Sequence, residues 1–168
     1  MLHARCRTAL FSALTLLAIT MLAGCGGTLT EPAPSALTPG TLVVDLPDGS
    51  TFTATDAHAI TGSGMIEIIA TERVSDVSEE LILTIPTHTP PYLATVPSTD
   101  DFDLGTMISY NDVNHDEYLA KGLIGSCQIS ISETSASVVG SFAGQLVYGS
   151  GSSARTINLA RGAFNATY

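Results

Sequence analysis

The fold is decided by two neighbouring stretches, LIGSCQISIS at residues 123–132 and VVGSFAGQLVY at residues 138–148. Both alternate apolar and polar side chains with a period of two, which places them on opposite faces of a β-strand. In the first stretch the inward row is Leu123, Cys127, Ile129 and Ile131, and the outward row is Ser126, Gln128, Ser130 and Ser132. In the second, the inward row is Val138, Phe142, Leu146 and Tyr148. The pattern predicts two half-buried strands.

The last strand changes phase along its length. Ile157 and Leu159 are odd-numbered, whereas the later inward candidates are even-numbered: Phe164, Ala166 and Tyr168. A shift of one residue is what a β-bulge produces, and Arg161-Gly162 is the position that favours it.

The alternation extends back to Thr41 in segments rich in Thr, Val, Ile and Ser, which is typical of strands. Pro47-Asp48-Gly49 predicts a tight turn, and the charged stretch Glu72–Glu80 is expected to separate two later strands. The earlier predicted strands are Leu42–Leu46, Thr51–Ala54, Met65–Thr71, Leu81–Ile85, Tyr92–Val96, Gly105–Tyr110 and Glu117–Lys121. The sequence therefore predicts an all-β fold for residues 41–168, a single antiparallel β-sandwich domain of about eight to ten strands, with a closed β-barrel as the alternative.

The first 24 residues have the order of an export signal. Basic Arg5 and Arg7 precede an uncharged apolar stretch, residues 9–23, which is shorter than the roughly 20 residues that span a bilayer. The stretch ends in Leu22-Ala23-Gly24-Cys25, which resembles a bacterial lipobox. The resemblance implies that a signal peptide of residues 1–24 is removed and that Cys25 carries a diacylglycerol thioether and an amino-terminal acyl group such as palmitate. A transmembrane anchor and an ordinary secretory signal are the alternatives.

Residues 25–40 are predicted to be the lipidated cysteine and a flexible linker, because Gly, Pro, Ser and Thr follow one another there without apolar periodicity. The chain after the signal retains all sixteen acidic residues and only four of the six basic ones. Its net charge is therefore −12. Such a surface repels nucleic acid and anionic lipid headgroups. Cys127 is the one cysteine left after the signal is removed and Cys25 is lipidated, so an internal disulfide is excluded.

Two motifs in the C-terminal part carry a family resemblance. The order valine, glycine, small residue, phenylalanine occurs at residues 139–142, and glycine, any residue, phenylalanine at residues 162–164. Both are similar to the ending of an uncharacterised family of small β-rich bacterial lipoproteins, common in Bacteroidetes-type and other Gram-negative bacteria. Residues 48–54 look like the early hairpin of that family. The resemblance implies the fold and the lipid anchor, and the family offers no catalytic residues to transfer.

One acidic segment predicts a metal site. Asp112, Asn114 and Asp116 place oxygen side chains at alternate positions, as at the start of a calcium-binding loop. The pattern departs from that loop where Glu117 replaces the required glycine and Leu123 the final glutamate. The alternative is a hairpin turn between Tyr110 and Tyr118 that is rich in Asn and Asp. In the metal hypothesis, Asp100, Asp101 or Asp103 completes the calcium site.

The sequence favours a non-enzymatic function. The histidines His58, His88 and His115 lack the close spacing of a zinc site, and Cys127 is expected to be a small core residue. We predict a membrane-anchored binding or accessory module of the cell envelope whose partner is an envelope protein or a glycan. The outer membrane is favoured over the inner one because Gly26, not aspartate, follows the lipidated cysteine. A calcium-dependent ligand binder using residues 100–117, or a hydrolase joining His88 or His115 to a carboxylate and a serine, are the alternatives.

Overall fold

The computed structural model describes residues 36–97 and 105–168. The predicted signal peptide, Cys25, most of the linker and the three aspartates Asp100, Asp101 and Asp103 lie outside these residues, and the predictions made for them stay predictions. Within the described part of the chain, no helix has the length and apolarity needed to cross a membrane.

The all-β prediction is confirmed. The described residues form eleven strands and a short 3-10 turn at Gly151–Ser153. The strands are β1 Thr41–Asp45, β2 Thr51–Ala54, β3 His58–Gly62, β4 Met65–Val74, β5 Val77–Pro86, β6 Tyr92–Val96, β7 Met107–Asn111, β8 Glu117–Lys121, β9 Ser126–Glu133, β10 Ser137–Tyr148 and β11 Arg155–Thr167. One more strand is present than the largest number predicted. The additional strand is β3. Ala59 is the one buried residue of this strand, so β3 lacks the alternation of buried and exposed side chains that identifies the other strands.

The eleven strands belong to one mixed sheet, which divides into two antiparallel ladders. One has the order β3-β4-β5-β7-β8, and the other has the order β2-β1-β11-β10-β9-β6. Single bridges join them, a parallel one between Thr167 and His58 and an antiparallel one between Val147 and Leu119. The ladders are the two layers of a sandwich, and Phe52 of one layer packs edge-on against Tyr110 of the other, with ring centroids 6.2 Å apart.

The core lies between the layers and consists of the inward rows of both. Its largest fully buried side chains are Phe52, Phe164, Leu42, Ile66, Ile68, Leu81, Leu83, Ile85, Ile108, Ile129, Ile131 and Leu146. At about 25 cal/mol per Å² of buried apolar surface, these rows supply the main favourable term for folding. The two ladders are thereby held face to face.

The charged stretch does not separate two strands as predicted. Instead, β4 and β5 continue through it as one long hairpin, paired from Met65–Pro86 to Val74–Val77, with the turn at Ser75-Asp76. Charged side chains are accommodated because this end of the hairpin extends past the apolar core, where Arg73, Val74, Ser75 and Asp76 are exposed.

The C-terminal predictions are mostly confirmed. Cys127, Ile129 and Ile131 are buried, and the bulge lies where the change of phase placed it. The β10–β11 register shifts between Phe142 and Gly144, and the β1–β11 register shifts between Val43 and Asp45.

Two inward assignments are wrong. Leu123 is 96% exposed, because it lies in a turn between Gly122 and Gly125 and β9 begins only at Ser126. Tyr168 is 54% exposed because it follows the last residue of β11.

Candidate functional site

A cleft of about 310 Å³ lies where the β1–β2 turn and the β7–β8 turn meet strand β5. We call it the tyrosine–carboxylate cleft, and its lining includes Asp48, Glu79, Tyr110, Asp112, Tyr118 and Ile157. It combines a concave surface, aromatic rings and three carboxylates.

The inward rows of the sandwich position the centre of this cleft. On β5, Leu83 and Leu81 are fully buried, and Glu79 is the next residue of the same row. On β7, Tyr110 pairs directly with Leu81 and is also buried. Glu79 and Tyr110 therefore lie where the core ends and the cleft begins.

Electrostatic repulsion and burial act on Glu79. Burial raises its pKa above the ordinary value, and the nearby carboxylates of Glu72, Asp112 and Asp48 raise it further. Its carboxylate accepts a hydrogen bond from the Tyr110 hydroxyl, which acts in the opposite direction. Burial and the Glu79 charge also raise the pKa of Tyr110, so this hydroxyl stays protonated and remains a donor.

Asp48 is fixed by the turn that carries it. Its Oδ1 atom accepts hydrogen bonds from the Ser50 amide at 2.9 Å and from the Ser50 hydroxyl at 2.6 Å. These bonds lower the pKa of Asp48, the hydroxyl bond contributing most. Gly49, with φ at +86°, completes the tight turn that the sequence predicted.

Asp112, Asn114 and Asp116, the predicted metal ligands, lie together in the β7–β8 turn. Asp112 Oδ1 accepts hydrogen bonds from the Asn114 amide at 2.8 Å and from the Asp116 amide at 3.0 Å, as in an Asx turn. Asp116 forms an ion pair with Arg155. In residues 36–97 and 105–168, no group of three or more His, Cys, Asp or Glu side chains is placed to hold a metal ion. The arrangement has the form of the hairpin turn, and the calcium hypothesis stays an untested prediction.

Sequence reasoning missed Arg155. Its guanidinium lies 4.3 Å from the Tyr148 ring centroid and 5.8 Å from that of Tyr118. Its hydrogen bond to Asp116 lowers the pKa of that carboxyl group. The sequence shows a basic residue at position 155 and an acidic one at position 116, but nothing in it shows that the two side chains meet.

The remaining candidate residues do not line the tyrosine–carboxylate cleft. His58 begins β3, His88 stacks edge-on against Tyr92 with centroids 5.1 Å apart, and His115 lies in the β7–β8 turn with φ at +62°. Cys127 is 3% exposed, and burial raises the pKa of its thiol to about 12, as expected for a core cysteine.

No known protein family, no characterised protein and no solved structure matches this chain.

Proposed function

We propose that the chain is a non-enzymatic binding module of the cell envelope, anchored by lipid on Cys25 and favouring the outer membrane. In this proposal the tyrosine–carboxylate cleft holds a Lys or Arg side chain of an envelope protein. The observation that carries it is the grouping of Asp48, Glu79 and Asp112 around the cleft in a molecule of net charge −10.

The charges of these carboxylates support a cationic ligand. Asp48 accepts hydrogen bonds from Ser50, Asp112 from backbone amides, and Glu79 from the Tyr110 hydroxyl. All these donors are neutral, so they orient the carboxylates and leave their negative charge in place. By contrast, the Arg155 guanidinium is already engaged with Asp116.

Apolar residues of the cleft suit the stem of a long basic side chain. Leu46, Val113 and Ile157 line it beside the carboxylates. Lys and Arg bury their methylene stems against apolar surface while the charged head reaches polar groups. The cleft therefore offers one surface for each part of such a side chain.

The position of the cleft is compatible with the proposed anchor. Residues 36–40 meet the domain at the start of β1, where the Gly40 amide donates to the Asn165 carbonyl at 2.7 Å and the Asn165 side chain donates to the Leu37 carbonyl at 2.9 Å. The cleft lies at the other end of β1, about 20 Å away at roughly 3.3 Å per residue. The cleft and residues 36–40 therefore lie at opposite ends of β1.

Calorimetric titration of the full chain in detergent micelles with tetralysine peptide tests the cleft. The double variant Glu79→Gln/Asp112→Asn removes two charges with little change of shape, and we expect its affinity to fall about tenfold or more. The matched control, Asp76→Asn/Glu133→Gln, removes two charges from outside the cleft. Equal losses in both variants, or no binding by the unaltered chain, would contradict the proposal.

The anchor is tested separately by mass spectrometry of the protein extracted from membranes. The expected result is a mature amino terminus at Cys25 that carries the diacylglycerol thioether and an amino-terminal acyl group. An unmodified Cys25 would remove the anchor from the proposal and leave the cleft untouched.

A further inference from the structure

The outer face of β6, β9, β10 and β11 carries a second concave surface. A groove of about 590 Å³ runs across these strands, and a hollow of about 320 Å³ adjoins it. Gln128 and Ala143 line both, so the two form one continuous surface, which we call the uncharged groove.

Strand register arranges the side chains of this groove in rows. One row crosses the sheet through Thr95, Gln128 and Ala143. A second row runs through Ser126, Gln145 and Asn158, and the Gln145 side-chain amide donates to the Asn158 side chain at 3.3 Å. The rows belong to the outward face of a sandwich whose other face is the core.

The floor of the groove is low because its central residue on the outer face, Ala143, is small. Ala143 lies beside Gln128 of β9 and is followed two residues later on its own strand by Gln145. The adjoining Gly144 belongs to the inward row, where a Cβ atom would lie 3.0 Å from the Cys127 Cβ atom. The short side chain of Ala143 makes the outer surface concave.

The polar side chains of the groove are amides and hydroxyls. Among the described residues that line it there is no Asp, Glu, Lys, Arg or His, although the chain as a whole has a net charge of −10. Amides and hydroxyls each donate and accept hydrogen bonds. An ionised ligand would lose its hydration there without meeting a countercharge, whereas a ligand with many hydroxyl groups could match both donors and acceptors.

The hydrogen-bond pairing of the strands favours a glycan over a peptide as the ligand of the groove. Peptides that bind to sheets usually add a strand at an edge, where main-chain groups are open. In this groove β9 pairs on both sides, with β6 and β10, and β10 pairs with β9 and β11, whereas β6 is an edge strand among the described residues. A ligand that lies across β9, β10 and β11 is therefore recognised by side chains, and Leu93, which is 55% exposed, offers an apolar surface for C–H groups.

We propose that the uncharged groove binds a neutral glycan chain. The groove spans three inter-strand spacings, about 14 Å at about 4.8 Å each, so it fits an extended oligomer. This site is separate from the tyrosine–carboxylate cleft and does not depend on the function proposed for it.

Nuclear magnetic resonance of the ¹⁵N-labelled full chain in detergent micelles tests the proposal, with maltohexaose and cellohexaose as neutral probes. We expect at least one of them to shift the side-chain amide signals of Gln128, Gln145 and Asn158 saturably, while those of Asn111 and Asn114 stay in place. Gln145→Ala should weaken this binding about tenfold, and Ser135→Ala, in the exposed β9–β10 loop, should not.

Comparison probes decide between the occupants. Hexagalacturonate, a charged glycan of similar length, should not shift the groove signals. No saturable shift with either neutral glycan at about 10 mM, or equal shifts at Asn111 and Asn114, would overturn the proposal. Shifts at the groove caused by tetralysine alone would replace the glycan with a peptide. The Glu79→Gln/Asp112→Asn variant should bind the neutral glycan normally, which separates failure here from failure at the cleft.

Discussion

Two glycines and two phenylalanines of β10 and β11 form reciprocal cross-strand pairs. Gly140 lies opposite Phe164, and Gly162 lies opposite Phe142. A Cβ atom on Gly140 would be 2.6 Å from the Phe164 ring, and one on Gly162 would be 2.5 Å from the Phe142 ring. Each ring therefore covers the glycine of the partner strand, and the two rings lie with centroids 6.2 Å apart. This packing gives a physical reason for both glycine–phenylalanine motifs.

Alanine at either glycine should destabilise the protein. Because the new methyl group overpacks the contact, we expect Gly140→Ala and Gly162→Ala to lower the free energy of unfolding by about 1–3 kcal/mol in urea titrations. Gly140→Ala should lower the free energy of unfolding more than Gly162→Ala does. Its methyl group would also collide with the Ser130 carbonyl oxygen, a backbone atom that cannot move aside as a side chain can. At Gly162 the neighbour is a side chain, so Phe142→Leu should recover part of the loss.

Gly62→Ala is the matched control, because a Cβ atom there has no neighbour within 4 Å. Equal effects at Gly62 and Gly162 would mean that general strand propensity, and not ring packing, decides the result.

The sequence identified these residues but not their partners. Periodicity places Phe142 and Phe164 on the inward face, since each strand shows its own alternation. It does not show that Gly140 lies opposite Phe164, because pairing depends on the register between strands and on the bulge.

At the scale of the element, the bulge of β11 changes which side chains face the core. Ala160 pairs with Asp45, and Leu159 pairs with Gly144, whereas Gly162 pairs with Phe142. The extra residue in both ladders falls at Arg161, which has φ at +53°. Its side chain forms an ion pair with Asp45, which holds the bulge to β1.

Substitutions at Arg161 separate backbone strain from the ion pair. Arg161→Ala loses the pair and keeps the left-handed backbone, whereas Arg161→Gly loses the pair and relieves the strain. We expect the glycine variant to be more stable than the alanine variant by about 1 kcal/mol, measured by urea unfolding.

Ala160→Gly serves as the comparison, because residue 160 does not have a positive φ and glycine there should reduce stability. A lower stability for Arg161→Gly than for Arg161→Ala would show that the bulge does not impose strain.

The sequence predicted the change of phase in β11 but not the length of the β4–β5 hairpin. Both outcomes depend on whether the apolar core reaches the strand. In β11 the core reaches both halves, so burial records the phase on each side of the bulge. The outer end of the β4–β5 hairpin extends beyond the core, so charged residues occur at strand positions and resemble a loop in the sequence.

At the scale of the whole molecule, the tyrosine–carboxylate cleft combines residues that lie far apart in the chain. Asp48, Glu79, Tyr110 and Ile157 come from different strands and turns of both layers. The sequence does not show that these residues meet, because it is the closure of the sandwich that brings them together. Within one layer, the β4–β5 hairpin places Glu72 directly opposite Glu79 on the neighbouring strand.

The burial of Glu79, together with this like-charge pair, gives the molecule a pH dependence that can be measured. The pKa of Glu79 is raised in the folded state, so its contribution to stability is fully present below its ordinary pKa of 4.5 and is lost as the pH rises through the raised value. Asp48 and Asp116 have lowered pKa values, so their contribution is present above the ordinary 3.8 and is lost as the pH falls below it. These groups together should therefore give the greatest stability between pH 3.8, above which the two aspartates contribute, and the raised pKa of Glu79, above which the contribution of Glu79 is lost.

Glu79→Gln should raise the thermal midpoint at pH 7, because it removes a charge repelled by Glu72 and retains an oxygen that accepts the Tyr110 hydrogen bond. Like charges directly opposite on paired strands cost up to about 1 kcal/mol, which sets the size of the gain. The difference from the unaltered protein should shrink as the pH is lowered to 4.5, in melting curves recorded across this range. Asp76→Asn, in the exposed β4–β5 turn, removes a charge without this neighbour and should give a smaller gain. A midpoint at pH 7 that falls in Glu79→Gln would mean that the ionised Glu79–Tyr110 hydrogen bond outweighs the repulsion around the cleft.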